Sequence, residues 1–225
     1  ILKVGTSNQF SGGNVEISAG TSAGEEEESM GAGGDVKITS GASKHSSSGS
    51  IELRTATSSA STEGGVSGDI LLSTGGASAG NTGNLDLMTG AAVGGAGGSI
   101  QLKVGDGSKG TGGSIAIEAG KSTDEEEEGK AGGAISLKTG SSLKSSSGSL
   151  SLLTADSTSE EGGVSGNIVL ATGASTGTGD SGNVQIAAGA ATGNDAGNGG
   201  SVSLSAGEGQ SGGGVRIAAG SSKHA

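Results

Sequence analysis

The chain contains no cysteine, proline, tryptophan or tyrosine, and Phe10 is its single phenylalanine. Without cysteine there is no disulfide framework. Without aromatic side chains, which normally provide much of a buried core, any core must be assembled from valine, isoleucine and leucine. The absence of proline excludes collagen, although glycine accounts for 51 of the 225 residues. These absences favour a repetitive, glycine-rich architecture over an ordinary globule.

Basic charge and long apolar runs are also scarce. The formal net charge is −11, which argues against nucleic-acid binding because that function requires a basic surface. No apolar run approaches the length that spans a bilayer, so no membrane span is predicted. The chain starts at Ile1 rather than methionine and stops inside a repeat, so we expect it to be an excerpt of a longer protein.

One phrase recurs along the whole chain. It reads glycine, small polar residue, aliphatic, any residue, aliphatic, any residue, small residue, glycine, as in the segment from Gly34 to Gly41. The commonest spacing between copies is about 15 residues, and a longer period of about 100 residues lies on top of it. The sequence therefore predicts one continuous array over 1–225, with super-repeats at about 1–100 and 101–200 and a partial copy at 201–225.

Alternation of aliphatic and other residues is typical of a half-buried strand. We predict an all-β fold, a parallel β-solenoid (β-helix) of about 14 short strands in coils of roughly 13 to 21 residues. The alternative is an antiparallel meander. The predicted structural core consists of Val15, Ile17, Val36, Ile38, Ile51, Leu53, Ile70, Leu72, Leu85, Leu87, Ile100, Leu102, Ile115, Ile117, Ile135, Leu137, Leu150, Leu152, Ile168, Leu170, Val184, Ile186, Val202, Leu204, Val215 and Ile217.

In each copy of the repeat the first of the two aliphatic residues is the leading aliphatic, as Val36 is in the copy from Gly34 to Gly41. A glycine stands two residues before each leading aliphatic, and we call these glycines the turn glycines. This placement predicts either a positive φ or a close approach of neighbouring backbone. The turn glycines are Gly13, Gly34, Gly49, Gly68, Gly83, Gly98, Gly113, Gly133, Gly148, Gly166, Gly182, Gly200 and Gly213. Between them, Glu16, Lys37 and Glu52 alternate in sign from unit to unit, which predicts ion pairs across adjacent coils.

The polar residues do not form the constellations that catalysis requires. Two histidines, His45 and His224, lie in serine-rich stretches without an accompanying acid, and no cofactor is predicted. The chain is therefore not predicted to be an enzyme. Weak candidates for binding a cation such as Ca²⁺ are the acidic runs, for which a solvated loop is the competing interpretation. They comprise Glu25, Glu26, Glu27, Glu28, Asp124, Glu125, Glu126, Glu127 and Glu128.

The recurring phrase resembles the Gly-rich β-solenoid arrays of adhesins, surface filaments and algal cell-surface proteins. The resemblance covers essentially the whole chain and implies an extracellular or cell-surface location. It also implies an elongated, assembly-forming role.

The functional expectation is a structural repeat protein that forms part of an extracellular fibre, surface appendage or adhesive scaffold through end-to-end or lateral self-association. Serine clusters such as Ser46–Ser48 are candidate O-glycan carriers. The alternative function is an ice-binding or other flat-face recognition solenoid, for which the small residues after each closing glycine would provide the face.

Overall fold

The computed structural model describes residues 2–5, 11–23, 31–59, 64–124, 130–159, 161–192 and 197–221. Within these ranges the backbone contains neither helix nor strand. It consists of irregular segments joined by loops, and we use the word segment for each stretch from a turn glycine to the residue that closes the same repeat, such as 34–41. The prediction of an all-β parallel β-solenoid is therefore wrong, and the antiparallel meander, which also requires strands, is not observed in the described ranges. The chain divides into two large units, Ile1–Thr111 and Gly112–Ala225, each of which contains several of the short repeat units.

The physical reason for the missing strands is the lack of a hydrogen-bond ladder. A strand exists only where successive N–H and C=O groups pair with a neighbour. Among the described residues, the backbone hydrogen bonds between distant positions are single and isolated, for example from Gly49 N–H to Gly41 C=O. Two aliphatic side chains per unit recover less free energy than ordering the unit costs. Alternation alone therefore does not produce pairing.

Alternation is nevertheless visible in the exposure of the side chains. Leu71 is 85% exposed, whereas its neighbours Ile70 and Leu72 are 50% and 58% exposed. Val169 is likewise more exposed than Ile168 and Leu170 on either side of it. Because exposure changes with a period of two, each segment has one side that is more covered and one side that is open to solvent.

Two ion pairs support the same two-sided arrangement. The Lys37 Nζ lies 3.1 Å from the Asp35 carboxylate, and the Arg54 Nε lies 2.9 Å from the Glu52 carboxylate. Partners two residues apart meet when both point to the same side of a segment. The charges predicted to pair across neighbouring units, such as Lys37 with Glu52, instead form these ion pairs inside their own segments.

The loops between the segments contain the bends, and backbone hydrogen bonds join the ends of several loops. Bends are found at 44–46, 78–80, 93–95, 108–110, 143–145, 177–179 and 209–211. Backbone hydrogen bonds join the ends of several loops, from a turn glycine N–H to the C=O of the glycine that ends the preceding segment. The pairs are Gly34–Gly20, Gly49–Gly41, Gly133–Gly120, Gly148–Gly140, Gly200–Gly189 and Gly213–Gly207, at 2.9–3.0 Å. We call each such meeting of two segment ends a loop closure.

The described residues include no buried side chain, apolar or polar. All of the predicted core aliphatics are at least half exposed, from 50% at Ile70 to 89% at Ile217. The half-covered residues are small instead, and all but Thr55 and Ser122 lie next to a loop closure: Ala19, Ser40, Thr55, Ala119, Ser122 and Thr139. In the described ranges there is also no helix of the length and hydrophobicity that a membrane crossing requires.

Candidate functional site: loop closures and the apolar side

The loop closures bring the turn glycines against the small residue that precedes the end of the previous segment. At Gly133, an added Cβ would stand 3.3 Å from the Ala119 Cβ and 3.3 Å from both the nitrogen and the oxygen of Gly120. An alanine here would require the neighbouring backbone to shift by a few tenths of an ångström, and backbone yields less readily than a flexible side chain. A comparably close backbone approach, at 3.3–3.4 Å, recurs at Gly34, Gly200 and Gly213, and an added Cβ at Gly13 would meet the Val4 side chain. The contacts are looser, at 3.4–4.0 Å, at Gly49, Gly68, Gly83, Gly98, Gly148, Gly166 and Gly182.

This geometry identifies which of the two predicted reasons for the turn glycines applies. Positive φ values among the described residues occur at other glycines, namely Gly64, Gly94, Gly110 and Gly162. Gly64 and Gly162 occupy equivalent places in the two super-repeats, with φ of 48° and 88°. Close approach to the preceding segment end, and not a positive φ, is therefore what the described turn glycines show, most tightly at Gly34, Gly133 and Gly200.

Hydroxyl groups add hydrogen bonds within and beside the closures. The Ser43 Oγ accepts hydrogen bonds from the N–H groups of His45 and Ser46, at 3.4 and 3.0 Å. Ser142 accepts two equivalent bonds from Lys144 and Ser145, at the same distances. A serine hydroxyl that bonds its own backbone two or three residues ahead stabilises a turn. These serines thus have a local structural role.

Threonine supplies a second form of closure. The Thr172 Oγ1 donates to the Gly182 carbonyl at 3.1 Å, and the Thr89 Oγ1 donates to the Gly98 carbonyl at 3.4 Å. In both loops the methyl group of the threonine also faces the turn glycine. Sequence reasoning recognised these positions as small residues but did not assign them a partner, because the partner lies across a loop of variable length.

The apolar side is a surface that recurs from segment to segment among the described residues. We define it as the side of each segment that carries its two aliphatics and its small closing residue. Every charged residue of the segments lies at the intervening positions, on the opposite side. These are Lys3, Glu16, Asp35, Lys37, Glu52, Arg54, Asp69, Asp86, Lys103, Glu118, Lys138 and Arg216. The apolar side is therefore free of charge in every unit.

Neighbouring segments shield the apolar side only in part. The leading aliphatic is less exposed than the second one in each unit, as with Val36 at 54% and Ile38 at 70%. The leading residue is two positions beyond the turn glycine and so lies nearer the closure. The second aliphatic lies farther from the closure, and most of its surface remains in contact with solvent.

The predicted cation candidates are mostly outside the described residues. Glu25–Glu28 and Glu125–Glu128 fall there, as do Phe10 and His224. Asp124 is described, and its carboxylate lies 3.8 Å from the Lys130 ammonium. No group of three or more histidine, aspartate or glutamate side chains that could hold a metal ion occurs within the described ranges. The cation site therefore stays a prediction.

One open pocket of about 400 Å³ lies in the loop between Thr55 and Gly68. Its lining consists of Thr55, Ala56, Thr57, Ser58, Gly65 and Ser67. None of these residues is an acid, a base or an activated nucleophile, so they can donate and accept hydrogen bonds but cannot perform general acid–base chemistry. The pocket is a polar recess in the loop between Thr55 and Gly68.

Comparison of the chain with family models, with curated proteins and with solved structures finds no match.

Proposed function

We propose that the chain is a structural repeat protein that forms part of an extracellular fibre, surface appendage or adhesive scaffold by self-association. The observation that carries this proposal is the repetition of one uncharged, exposed apolar side on segment after segment. A catalytic site requires a few unlike residues at one place, whereas an assembly surface uses the same residues many times.

The exposure of the apolar side supports an assembling protein over an independent monomer. Monomeric soluble proteins rarely leave large contiguous apolar patches open to water, and larger patches mark interaction surfaces. Ile70, Leu85 and Ile100 in one unit, and Val184 and Val202 in the other, are all at least half exposed. Because every segment repeats this exposure, the association is expected to extend along the chain.

Sedimentation velocity over a wide concentration range, together with electron microscopy of the concentrated sample, tests this function. We expect the average mass to rise with concentration and filaments or sheets to appear on the grid. A chain that sediments as a monomer of 20.7 kDa at every concentration, with no assemblies on the grid, would contradict the proposed function.

A further inference from the structure

We infer that the apolar side of each segment is the docking surface for a second copy of this chain. This inference rests on the proposed function and adds to it the surface that associates and the partner that covers it. The surface consists of the aliphatics and small closing residues defined above, within each of the two units taken by itself.

The available apolar area is sufficient for a stable interface. A fully exposed aliphatic side chain presents on the order of 60–120 Å² of apolar surface. Unit Ile1–Thr111 carries about a dozen of these aliphatics at 50–70% exposure, which gives roughly 430–870 Å². A specific protein interface buries about 800 Å² on each partner. The aliphatics of one unit can therefore supply most of the area of an interface.

The repetition of one pattern favours a second copy as the partner. Every segment carries the same uncharged pair of aliphatics and small closing residue. A second copy therefore presents the same series of apolar sides, so the two surfaces are self-complementary segment by segment.

Charge and backbone chemistry favour the same occupant. The apolar side carries no charge in any unit, so two copies can bring these sides together without desolvating an ion. Along the segments of the described residues, most backbone N–H and C=O groups have no backbone partner, because the hydrogen bonds are confined to the loops. Unpaired extended backbone is a template for another chain, and a second copy supplies matching groups.

Adjacent residues on opposite sides of the same segments provide a matched pair of variants. The first carries Leu72→Lys and Leu170→Lys, on the apolar side. The second carries Leu71→Lys and Val169→Lys, one position away on the charged side, where exposure is 85% and 82%. Both variants add two positive charges, so they differ only in the side that they alter.

Sedimentation equilibrium of the wild type and both variants measures the association. We expect the apolar-side variant to weaken association about tenfold or more, and the charged-side variant to change it less than about twofold. Equal weakening by the two variants, or no weakening by the first, would overturn the docking surface while leaving the proposed function in place. A wild type that never associates would instead remove the proposed function, and this inference with it.

A second measurement reports on coverage and does not depend on how the variants fold. The natural chain has no cysteine, so Leu72→Cys and Leu71→Cys each place one thiol on a chosen side. The rate of alkylation by iodoacetamide, under reducing conditions, should fall about fivefold or more with rising protein concentration at position 72 and stay nearly constant at position 71. Equal protection of the two thiols would refute the inference.

Discussion

At the scale of single residues, the turn glycines are the positions where the chain tolerates least change. A Cβ at Gly133 would stand 3.3 Å from the backbone of Gly120, so that backbone would have to shift by a few tenths of an ångström. The Gly133 N–H also donates a 2.9 Å hydrogen bond to the Gly120 carbonyl. The close contact and the hydrogen bond both join the Gly133 backbone to Gly120, so a methyl group added to Gly133 strains the contact and the hydrogen bond together.

We therefore predict that Gly133→Ala opens this closure. Amide hydrogen exchange of residue 133, measured by NMR on dilute protein and corrected for intrinsic rates, should accelerate about fivefold, as expected for a hydrogen bond worth about 1 kcal/mol. Gly140→Ala is the matched control, since an added Cβ at Gly140 meets no atom within 4 Å. An unchanged exchange rate in Gly133→Ala would show that the closure tolerates a methyl group at this close contact.

Sequence reasoning at this scale captured part of the arrangement. It found the turn glycines and offered close approach as one of two explanations, and close approach is what the described closures contain. It could not identify Ala119 as the residue in contact with Gly133, since these two positions are joined by a loop whose length varies between units. It did not assign Ser43 and Ser142 a turn role, although ordinary turn chemistry accounts for their hydrogen bonds.

At the scale of elements, a loop closure forms across loops of unequal length. Gly207 and Gly213 close a short loop, while Gly20 and Gly34 close a much longer one with the same hydrogen bond. The entropy of closing a flexible loop grows only with the logarithm of its length. The contact between the segment ends, and not the content of the loop, thus determines whether the closure forms.

Because the entropy of closing depends only weakly on loop length, we predict that insertions in the loops are tolerated. Two residues, glycine and serine, inserted after Leu143 should raise the closing free energy of the Gly140–Gly148 loop by only about 0.2 kcal/mol. Amide exchange at Gly148 is the measurement, and a change of less than about twofold is expected. An increase as large as that of Gly133→Ala would mean that the bend at 143–145 directs the closure.

The segments show which structural features the sequence could predict and which it could not. Alternation of residues such as Val36, Lys37 and Ile38 predicted two unlike sides, and the exposures and the Lys37–Asp35 ion pair show two unlike sides. Strands were predicted from the same alternation and are absent from the described residues. A side-chain period is a local property, whereas a strand requires a partner at hydrogen-bonding distance along its length.

At the scale of the whole molecule, charge and apolar exposure act against each other. The net charge of −11 repels a second copy over distances comparable with the Debye length, which salt shortens. The attraction between uncharged apolar sides is not screened by salt. The balance between the two contributions should therefore depend on ionic strength.

We predict that raising sodium chloride from about 20 to about 500 mM strengthens self-association, because the Debye length falls from roughly 20 Å to a few ångströms. Sedimentation velocity at constant protein concentration is the measurement. Sodium sulfate at matched ionic strength should strengthen it further, since sulfate also favours burial of apolar surface. Association that weakens as salt rises would show that ion pairs between copies provide the main attraction.

Concentration-dependent hydrogen exchange is the most direct test that the chain leaves its apolar side uncovered until a second copy covers it. Mass spectrometry of peptides containing Val36–Ile38 and Ile135–Leu137 would follow the segment amides from dilute to concentrated protein. The account predicts exchange near the unprotected rate in dilute protein and strong protection in concentrated protein. Equal, strong protection at every concentration would contradict it, because the segments would then pair within a single chain.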